Sequence, residues 1–208
     1  MSALINLADN SAVYDVAKVS ALSIATQLSK RFHNQIYLKR EDDQVIHSFK
    51  LRGAYQKMSS MSDEQKSKGV IASSAGNHAQ GVALGASKLN IKAIIVMPTS
   101  TPEIKVQAVE QLGAEVVLHG DVYDDAFHHA KKLESEQDLC FISPYDDFEV
   151  IAGQATVAKE ILSQLEEIDY VFAPVGGGGL ISGMASYRSE EHTSELQSPC
   201  NRVCRLLL

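Results

Sequence analysis

The sequence predicts an α/β protein built from open, mostly parallel twisted sheets with helices on both faces. Three short apolar runs begin at Val70, Ala93 and Glu115 and are therefore 23 and 22 residues apart. That spacing leaves room for one helix between successive strands, which is the arrangement of βα units in a parallel sheet. Loops at the carboxyl edge of such a sheet bind ligands, so we expect the functional residues there.

Each element has its own signal in the sequence. Short apolar runs predict strands at Ile36–Lys39, Val70–Ser74, Ala93–Met97, Glu115–His119 and Tyr170–Val175. Amphipathic runs predict helices at Ser48–Met58, Asn77–Leu89, Pro102–Leu112, Tyr123–Glu136 and Gly153–Glu166. Ser48 and Thr101 are candidate helix caps, and Gly113 is expected to end the helix that begins at Pro102.

Composition bounds the class of protein. The chain has 208 residues, of which 45% are apolar and 22% charged, with a net charge of −7. These values fit a globular protein of one large or two small domains and do not favour nucleic acid as a partner. No apolar run approaches the roughly 18 residues of a membrane span, and the start does not resemble a secretory signal. Three cysteines do not suggest a disulfide framework, so we expect a cytoplasmic protein.

The first chemical motif is "KREDDQVIHSFKLRGAY", in which Lys50 lies in the first turn of an amphipathic helix. The positive end of the helix dipole and the apolar neighbours both disfavour a charged ammonium there, which lowers the lysine pKa. A lysine of this kind forms Schiff bases with carbonyl compounds. A solvated lysine on a helix surface is the alternative.

The second motif, "SSAGNHAQGVA", follows a predicted strand and opens a helix. Successive backbone N–H groups at such a turn, with hydroxyls from Ser73 and Ser74, make an anion site suited to a carboxylate or a phosphate. Gly81 and Gly85 allow the helix to pack closely on the sheet or on a cofactor. A capping turn without a ligand is the alternative, and His78 alone does not decide between the two.

The third motif, "PVGGGGLISG", places four consecutive glycines at a strand-to-helix turn. Each glycine costs conformational entropy on folding, so four in a row suggest that the backbone approaches a ligand closely. Phosphate is the leading candidate, although the spacing is neither that of a dinucleotide fingerprint nor that of a P-loop. A flexible linker is the alternative.

Together the three motifs resemble those of the pyridoxal-phosphate enzymes of the tryptophan-synthase-β fold type. They occur in the same order and at the same separation as in that family, and the likeness is strongest to the biosynthetic threonine dehydratases. The phrases "LKRED", "IVMPTSTPEIKV" and "IAGQATVAKEI" extend the resemblance over most of residues 12–185. The implied cofactor is pyridoxal 5'-phosphate.

The resemblance also implies roles for individual residues. Lys50 would hold the cofactor as a Schiff base, Phe49 would pack near its ring, and Asn77 would hydrogen-bond its ring hydroxyl. The loop around the substrate carboxylate would consist of Ser73, Ser74, Ala75, Gly76 and His78. The cradle for the cofactor phosphate would consist of Gly176, Gly177, Gly178, Gly179 and Leu180. No metal ligands are implied.

The implied reaction is an α,β-elimination that converts L-threonine to 2-oxobutanoate and ammonia, the first step of isoleucine biosynthesis. The same motifs occur in catabolic serine/threonine dehydratases and in serine racemases, so these activities stay open. Family members are homodimers or homotetramers that act on small amino acids.

The resemblance implies a division of the chain and a longer family protein. Residues 1–42 are expected to begin a large cofactor domain, 43–152 to form a small α/β domain, and 153–187 to resume the large domain with the phosphate turn. Residues 188–198 and 203–208 read as a translated sequencing adapter, so we expect 188–208 to be non-native. Cys200 and Cys204, with a single nearby histidine, do not form a metal-site pattern. An alternative of a different class is therefore an inactive, truncated fragment.

Overall fold

The computed structural model describes residues 3–189 and the backbone of residues 195–197 and 203–207. The helices are α1 (Ala3–Asp9), α2 (Thr26–Phe32), α3 (Lys50–Ser59), α4 (Asp63–Lys68), α5 (Asn77–Leu89), α6 (Glu103–Glu110), α7 (Tyr123–Gln137), α8 (Phe148–Gln164) and α9 (Gly179–Ser189). The strands are β1 (Leu22–Ile24), β2 (Tyr37–Lys39), β3 (Val70–Ser73), β4 (Ala93–Met97), β5 (Glu115–Leu118), β6 (Cys140–Phe141), β7 (Tyr170–Pro174), β8 (Glu195–Gln197) and β9 (Val203–Leu207). Much of the segment 188–208, including Cys200, lies outside the described residues.

A four-stranded parallel sheet in the order β5–β4–β3–β6 forms the centre of the described fold. This confirms the parallel sheet predicted from the strands at Val70, Ala93 and Glu115. In this order β4 and β5 follow β3 on one side, and the chain then returns to place β6 on the other side of β3. The crevice between β3 and β6 is therefore a topological switch point, where open α/β sheets bind ligands.

Helices cover both faces of this sheet, as predicted. Alternate strand residues such as Ala72 and Ile95 pack in one buried cluster with residues of α3, α5 and α6. The intervening residues Ile71, Ile94 and Val96 pack against α7 on the opposite face. This alternation follows from the two-residue period of a strand. It leaves β3 and β4 buried throughout, which explains their continuous apolar runs.

The other strand pairs are antiparallel. Strand β1 pairs with β2, and α2 connects them. Strand β7 pairs with β9, which also pairs with β8. Parallel pairing therefore characterises the four-stranded sheet and not these smaller sheets. In the part of the chain that the structure describes, no helix has the length and apolar character that a membrane span requires.

Several predicted boundaries shift for identifiable reasons. Helix α8 begins at Phe148, before the predicted Gly153, because the side chain of Asp147 caps it by accepting the N–H groups of Glu149 and Val150 at 3.0 and 3.1 Å. Elements α1, β1, α2, α4 and β6 were not predicted. Gly113 has a φ of 94° and lies three residues beyond Glu110, the last residue of α6, so this helix ends earlier than predicted.

Neither predicted cap occupies an N-cap position. Ser48 accepts a 3.2 Å hydrogen bond from the backbone N–H of Lys50, but Phe49 occupies the N-cap position of α3, so the predicted cap is wrong by one residue. The prediction for Thr101 is wrong. Pro102 occupies the N-cap position of α6, and the Thr101 hydroxyl is buried with no hydrogen-bond partner among the described residues.

Candidate active site

Four helices pack side by side in the order α5–α3–α8–α9, and a glycine one turn inside each helix permits the contact. A Cβ on Gly81 of α5 would lie 3.1 Å from the carbonyl oxygen of Lys50, at the start of α3. A Cβ on Gly153 of α8 would lie 2.7 Å from the Cα of Gly53 in α3. A Cβ on Gly183 of α9 would lie 2.8 Å from a backbone nitrogen of α8. Side chains at these four positions would force the helices apart.

Because each contact lies near the start of the helix concerned, the amino ends of the four helices lie close to one another. Each end carries backbone N–H groups that the helix itself does not use, and each is the positive end of a helix dipole. A region that collects four such ends is suited to anions and unfavourable for a protonated amine. Gly81 and Gly85 contact α3 and not the sheet, so the predicted packing on the sheet is wrong for these two residues.

Lys50 lies at the amino end of α3 and is half-buried. Its Nζ donates a 2.7 Å hydrogen bond to the carbonyl oxygen of Pro144 and lies 5.5 Å from the centre of the Phe49 ring. Burial lowers the pKa of Lys50 below its ordinary value. The amine therefore deprotonates more readily than that of a solvated lysine, which favours the reactive alternative over a surface lysine.

The loop after β3 presents the second predicted group. Ser73 is buried, and its hydroxyl has no hydrogen-bond partner among the described residues. Ser74 Oγ accepts the backbone N–H of Gly76 at 3.2 Å, which closes the turn before α5. Ala75 is partly buried, and a Cβ on Gly76 would meet no atom within 4 Å. The loop therefore contains an unused hydroxyl and an open backbone face.

The two helical residues that follow have different surroundings. Asn77 is the first residue of α5 and is exposed, as a ligand-binding amide would be. His78 is buried, and its Nε2 donates a 2.9 Å hydrogen bond to the carbonyl oxygen of Ile142. Burial lowers the pKa of His78 to about 4, so the ring is neutral at pH 7. His78 thus joins the β3 loop to the end of β6.

The glycine turn follows β7 and leads into α9. A Cβ on Gly176 would meet no atom within 4 Å, so this residue offers an open backbone face. Gly178 has a φ of 91°, a conformation that favours glycine. Leu180 is partly buried and packs in the cluster that includes residues of α8. Gly177 and Gly179 instead lie against Tyr145.

The three predicted motifs all contact one segment, residues 142–147, which was not predicted to belong to the site. Ile142 accepts from His78, Pro144 accepts from Lys50, and Tyr145 lies on the glycine turn. Two signals in the sequence could have identified this segment. Pro144 is typical of a loop, and Asp147 is a typical cap for the long amphipathic helix that follows. The sequence did not predict that this segment follows a strand, because β6 has only two residues.

A buried ionic network behind Lys50 was also missed. Arg52 is fully buried, and its guanidinium donates to Glu41 at 2.8 Å and to Glu160 at 2.6 Å. Lys39 pairs with the same Glu160 at 2.6 Å. Burial alone would raise the pKa of Glu160, but the bonds from Arg52 and Lys39 hold it below its ordinary value. The network connects the segment before α3 to α3 and α8.

The residues fit a pyridoxal-phosphate site. An amine with a lowered pKa suits the aldehyde of the cofactor, and the open Gly176 face at the start of α9 suits its phosphate. The unpaired Ser73 hydroxyl and the open Gly76 face suit the carboxylate of an amino acid.

Comparison with known proteins agrees with this chemistry. Residues 19–203 match the family described as pyridoxal-phosphate dependent enzymes. Over 175 residues the chain is 56% identical to "L-threonine dehydratase biosynthetic IlvA" of Haemophilus influenzae, covering 84% of this chain and 34% of that protein. It is 59% identical over 176 residues to "Threonine dehydratase biosynthetic, chloroplastic" of Arabidopsis thaliana, covering 84% of this chain and 30% of that protein.

A solved structure shows the same similarity. The processed form of threonine deaminase isoform 2 from Solanum lycopersicum superposes with a TM-score of 0.89 at 52% identity, covering 90% of this chain and 55% of that one. The chain spans about a third of the length of the two curated relatives. The match to the family covers well over half of this chain, and the chain therefore belongs to the family of pyridoxal-phosphate dependent enzymes.

Proposed function

We propose that this chain carries the lysine and the two anion-binding turns of a biosynthetic threonine dehydratase. The proposed reaction converts L-threonine to 2-oxobutanoate and ammonia. The single observation that carries the proposal is the position of the Lys50 amine, which lies where the amino ends of α3, α5, α8 and α9 are gathered. The names of the relatives, at 56% and 59% identity, support threonine as the substrate.

The cofactor, when bound, supplies an electron sink for the negative charge that develops at the substrate Cα. The residues of the chain bind and orient the two molecules around that carbon. Lys50 would hold the cofactor through its Nζ, with Phe49 near its ring and Asn77 as the residue that would hydrogen-bond its ring hydroxyl. Gly176, with the backbone N–H groups at the start of α9, would hold the phosphate.

The substrate carboxylate would lie at the start of α5. Ser73 and Ser74 offer hydroxyls, and the Ala75–Gly76 backbone and Asn77 offer N–H groups toward it. The Nε2–H of His78 donates to the carbonyl oxygen of Ile142, so its ring fixes the loop that we propose surrounds the carboxylate.

Proton movement follows from the state of Lys50. The neutral Nζ of Lys50 would accept the proton from the substrate Cα. The hydroxyl would take up a proton and leave from Cβ as water, and one water is taken up again when ammonia is released. The net change is therefore threonine to 2-oxobutanoate plus ammonia, and the lowered pKa of Lys50 keeps the amine available as a base.

A second candidate function is that of a non-catalytic polypeptide with at most weak cofactor affinity. It is favoured by the exposed apolar side chains of the two small sheets, among them Ile24, Leu38 and Phe172. Large exposed apolar residues are characteristic of surfaces that another element covers. The two candidates share the cofactor site and differ in turnover.

We also propose a reducing compartment and a homo-oligomer of two or four subunits. Cys140 is a free cysteine within the described residues, which is consistent with a reducing environment. The proposed compartment is the cytoplasm; the Arabidopsis relative is chloroplastic by name.

The test uses the full 208-residue chain incubated with pyridoxal 5'-phosphate and reduced with borohydride. Mass analysis should find the cofactor on the peptide that contains Lys50. Lys50→Ala should lose the label and the visible absorbance, whereas Lys105→Ala, an exposed lysine of α6, should keep both. Labelling that persists in Lys50→Ala would refute the assignment.

A second assay separates the activities. Threonine and serine are supplied separately, and 2-oxo acids and D-serine are measured. A 2-oxo acid formed faster from threonine supports the proposed dehydratase. D-serine as the main product would establish a racemase, and cofactor binding without any product would establish the non-catalytic candidate.

A further inference from the structure

We propose that Tyr145 is a positioning residue of the cofactor site, which holds the turn 176–179 in its anion-binding form. In this proposal Gly177 and Gly179 are glycines because Tyr145 packs on them, whereas Gly176 is a glycine because a phosphate approaches it. The inference rests on the proposed function and deepens it.

Gly177 gives the first observation. A Cβ on this residue would overlap the aromatic ring of Tyr145 at Cγ and Cδ1. The ring therefore occupies the volume that any side chain at this position would need. A phosphate that approached the same side of Gly177 would collide with the ring, so close approach of a ligand does not explain this glycine.

Gly179 extends the contact to the backbone. Its Cβ would lie 3.0 Å from both the Cα and the carbonyl oxygen of Tyr145. Gly179 is the first residue of α9, so Tyr145 contacts the turn and the helix start together. Between them, Gly178 has its φ of 91°, which sets the path of the backbone.

Gly176 provides the contrast within the same turn. A Cβ there would meet no atom within 4 Å. The four glycines thus divide into one with an open face, one with a left-handed conformation and two that contact Tyr145. Only the first is explained by space kept for a ligand.

The segment that carries Tyr145 is held at both ends. Ser143 Oγ accepts the backbone N–H of Asp146 at 3.1 Å. Asp147 caps α8 and pairs with Lys57 at 2.8 Å. Tyr145 is therefore fixed on a short loop. Pro144, the residue before it, accepts the hydrogen bond from Lys50, and Tyr145 itself contacts the glycine turn. Two adjacent residues thus contact both the lysine and the phosphate turn of the proposed cofactor site.

The experiment is a double-mutant cycle on the 208-residue chain without cofactor, measured by thermal unfolding. Gly177→Ala should lower the melting temperature by several degrees when Tyr145 is present. In the Tyr145→Ala background the same change should have little effect, because the overlapping ring has gone. Gly176→Ala is the matched control and should leave the melting temperature unchanged in both backgrounds.

Ligand titration tests the positioning role. Tyr145→Ala should weaken the binding of pyridoxal 5'-phosphate roughly tenfold, because the turn loses its preorganised form. It should leave the binding of pyridoxal, which lacks the phosphate, within about twofold. Tyr145→Phe should restore phosphate-dependent binding, since the ring and not the hydroxyl makes the contact. Gly176→Ala should weaken phosphate-dependent binding in both backgrounds.

The outcomes separate the two proposals. If Gly177→Ala is equally harmful with and without Tyr145, or if Tyr145→Ala weakens pyridoxal and its phosphate alike, the positioning role is wrong. If the wild-type chain binds neither compound at Lys50, the proposed function fails and the cofactor role of Tyr145 fails with it. The unfolding cycle would still show whether Tyr145 sets the conformation of the turn.

Discussion

The Nζ of Lys50 donates a 2.7 Å hydrogen bond to the carbonyl oxygen of Pro144, a residue 94 positions later in the chain. The bond joins the start of α3 to the loop before α8, and a carbonyl oxygen can only accept it. It therefore holds the lysine side chain in the region where the helix amino ends meet. When the amine reacts with an aldehyde, this bond must be replaced.

The reactivity of Lys50 should depend on pH in a way set by its burial. Since its pKa is lowered, the neutral amine is present at a lower pH than in a solvated lysine. We expect the rate of borohydride-trapped labelling by pyridoxal 5'-phosphate to rise through a midpoint below 10.5, the ordinary lysine value. N-acetyl-lysine amide is the control, and a midpoint equal to that of the control would contradict the prediction.

His78 should make stability depend on pH between 6.5 and about 4. The folded state keeps the ring neutral down to about pH 4, whereas the unfolded chain binds a proton near the ordinary value of 6.5. The unfolded state therefore binds more protons in this window, so stability falls as the pH is lowered through it and the effect of this group ends below about 4. Over the whole window the loss is about 3 kcal/mol.

Urea unfolding of the wild type and of His78→Gln at pH 7.0 and 5.0 measures this loss. Glutamine keeps a donor for the carbonyl of Ile142 but does not titrate. The variant should therefore lose less stability than the wild type between the two pH values. Equal losses would show that His78 does not titrate as its burial predicts.

Glu160 should be essential for the packing behind Lys50. Glu160→Gln removes a charge that is 2% exposed and leaves Arg52 with Glu41 as its carboxylate partner. Unpairing a buried charge is expensive, so we expect the free energy of unfolding to fall by roughly 2–4 kcal/mol. Asp42→Asn is the control, because it breaks an exposed pair with Arg40 and should have no measurable effect. A loss in Glu160→Gln no larger than in the control would refute this account.

Arg188 should be replaceable with a gain in stability. Its side chain is 8% exposed, its Nε has no hydrogen-bond partner among the described residues, and its surroundings are the apolar side chains Ala158, Ile161, Leu162, Val171 and Met184. Within the described residues the guanidinium has no carboxylate partner, so no ion pair there offsets its lost hydration. We expect Arg188→Met to raise the free energy of unfolding by about 1–2 kcal/mol.

Arg188→Lys is the control, because it keeps the charge and should give no gain. A stabilised Arg188→Met would confirm that the desolvated guanidinium opposes packing at this position. Loss of stability in Arg188→Met would show that the arginine has a favourable role.

Much of the fold could be predicted because its signals are local. The strands at Ala93–Met97 and Glu115–Leu118 and the helix Asn77–Leu89 are continuous patterns bounded by glycine or by a strand-to-helix turn. Strand β6 could not be predicted, because two residues do not establish a period. Helix α4 could have been predicted from its capping box, in which Ser62 and Gln65 exchange hydrogen bonds.

The division of roles among the glycines shows the limit of sequence reasoning. From the chain alone Gly176 to Gly179 are equivalent, and a phosphate cradle explains all four. The structure distinguishes them because Tyr145, more than 30 residues earlier, occupies the space beside two of them. Likewise, nothing local to Gly53 and Gly153 indicates that these two residues face each other.

The sequence by itself determined the parallel sheet, the lysine at a helix start, the two turns that we propose bind anions and, through the resemblance, the cofactor class. These follow from residue types at short spacings, which act through local backbone geometry. Tertiary structure alone decided that the lysine bonds to Pro144, that His78 contacts Ile142 and that Tyr145 lies on the glycine turn. These contacts join residues tens of positions apart, so they form only when the whole chain folds.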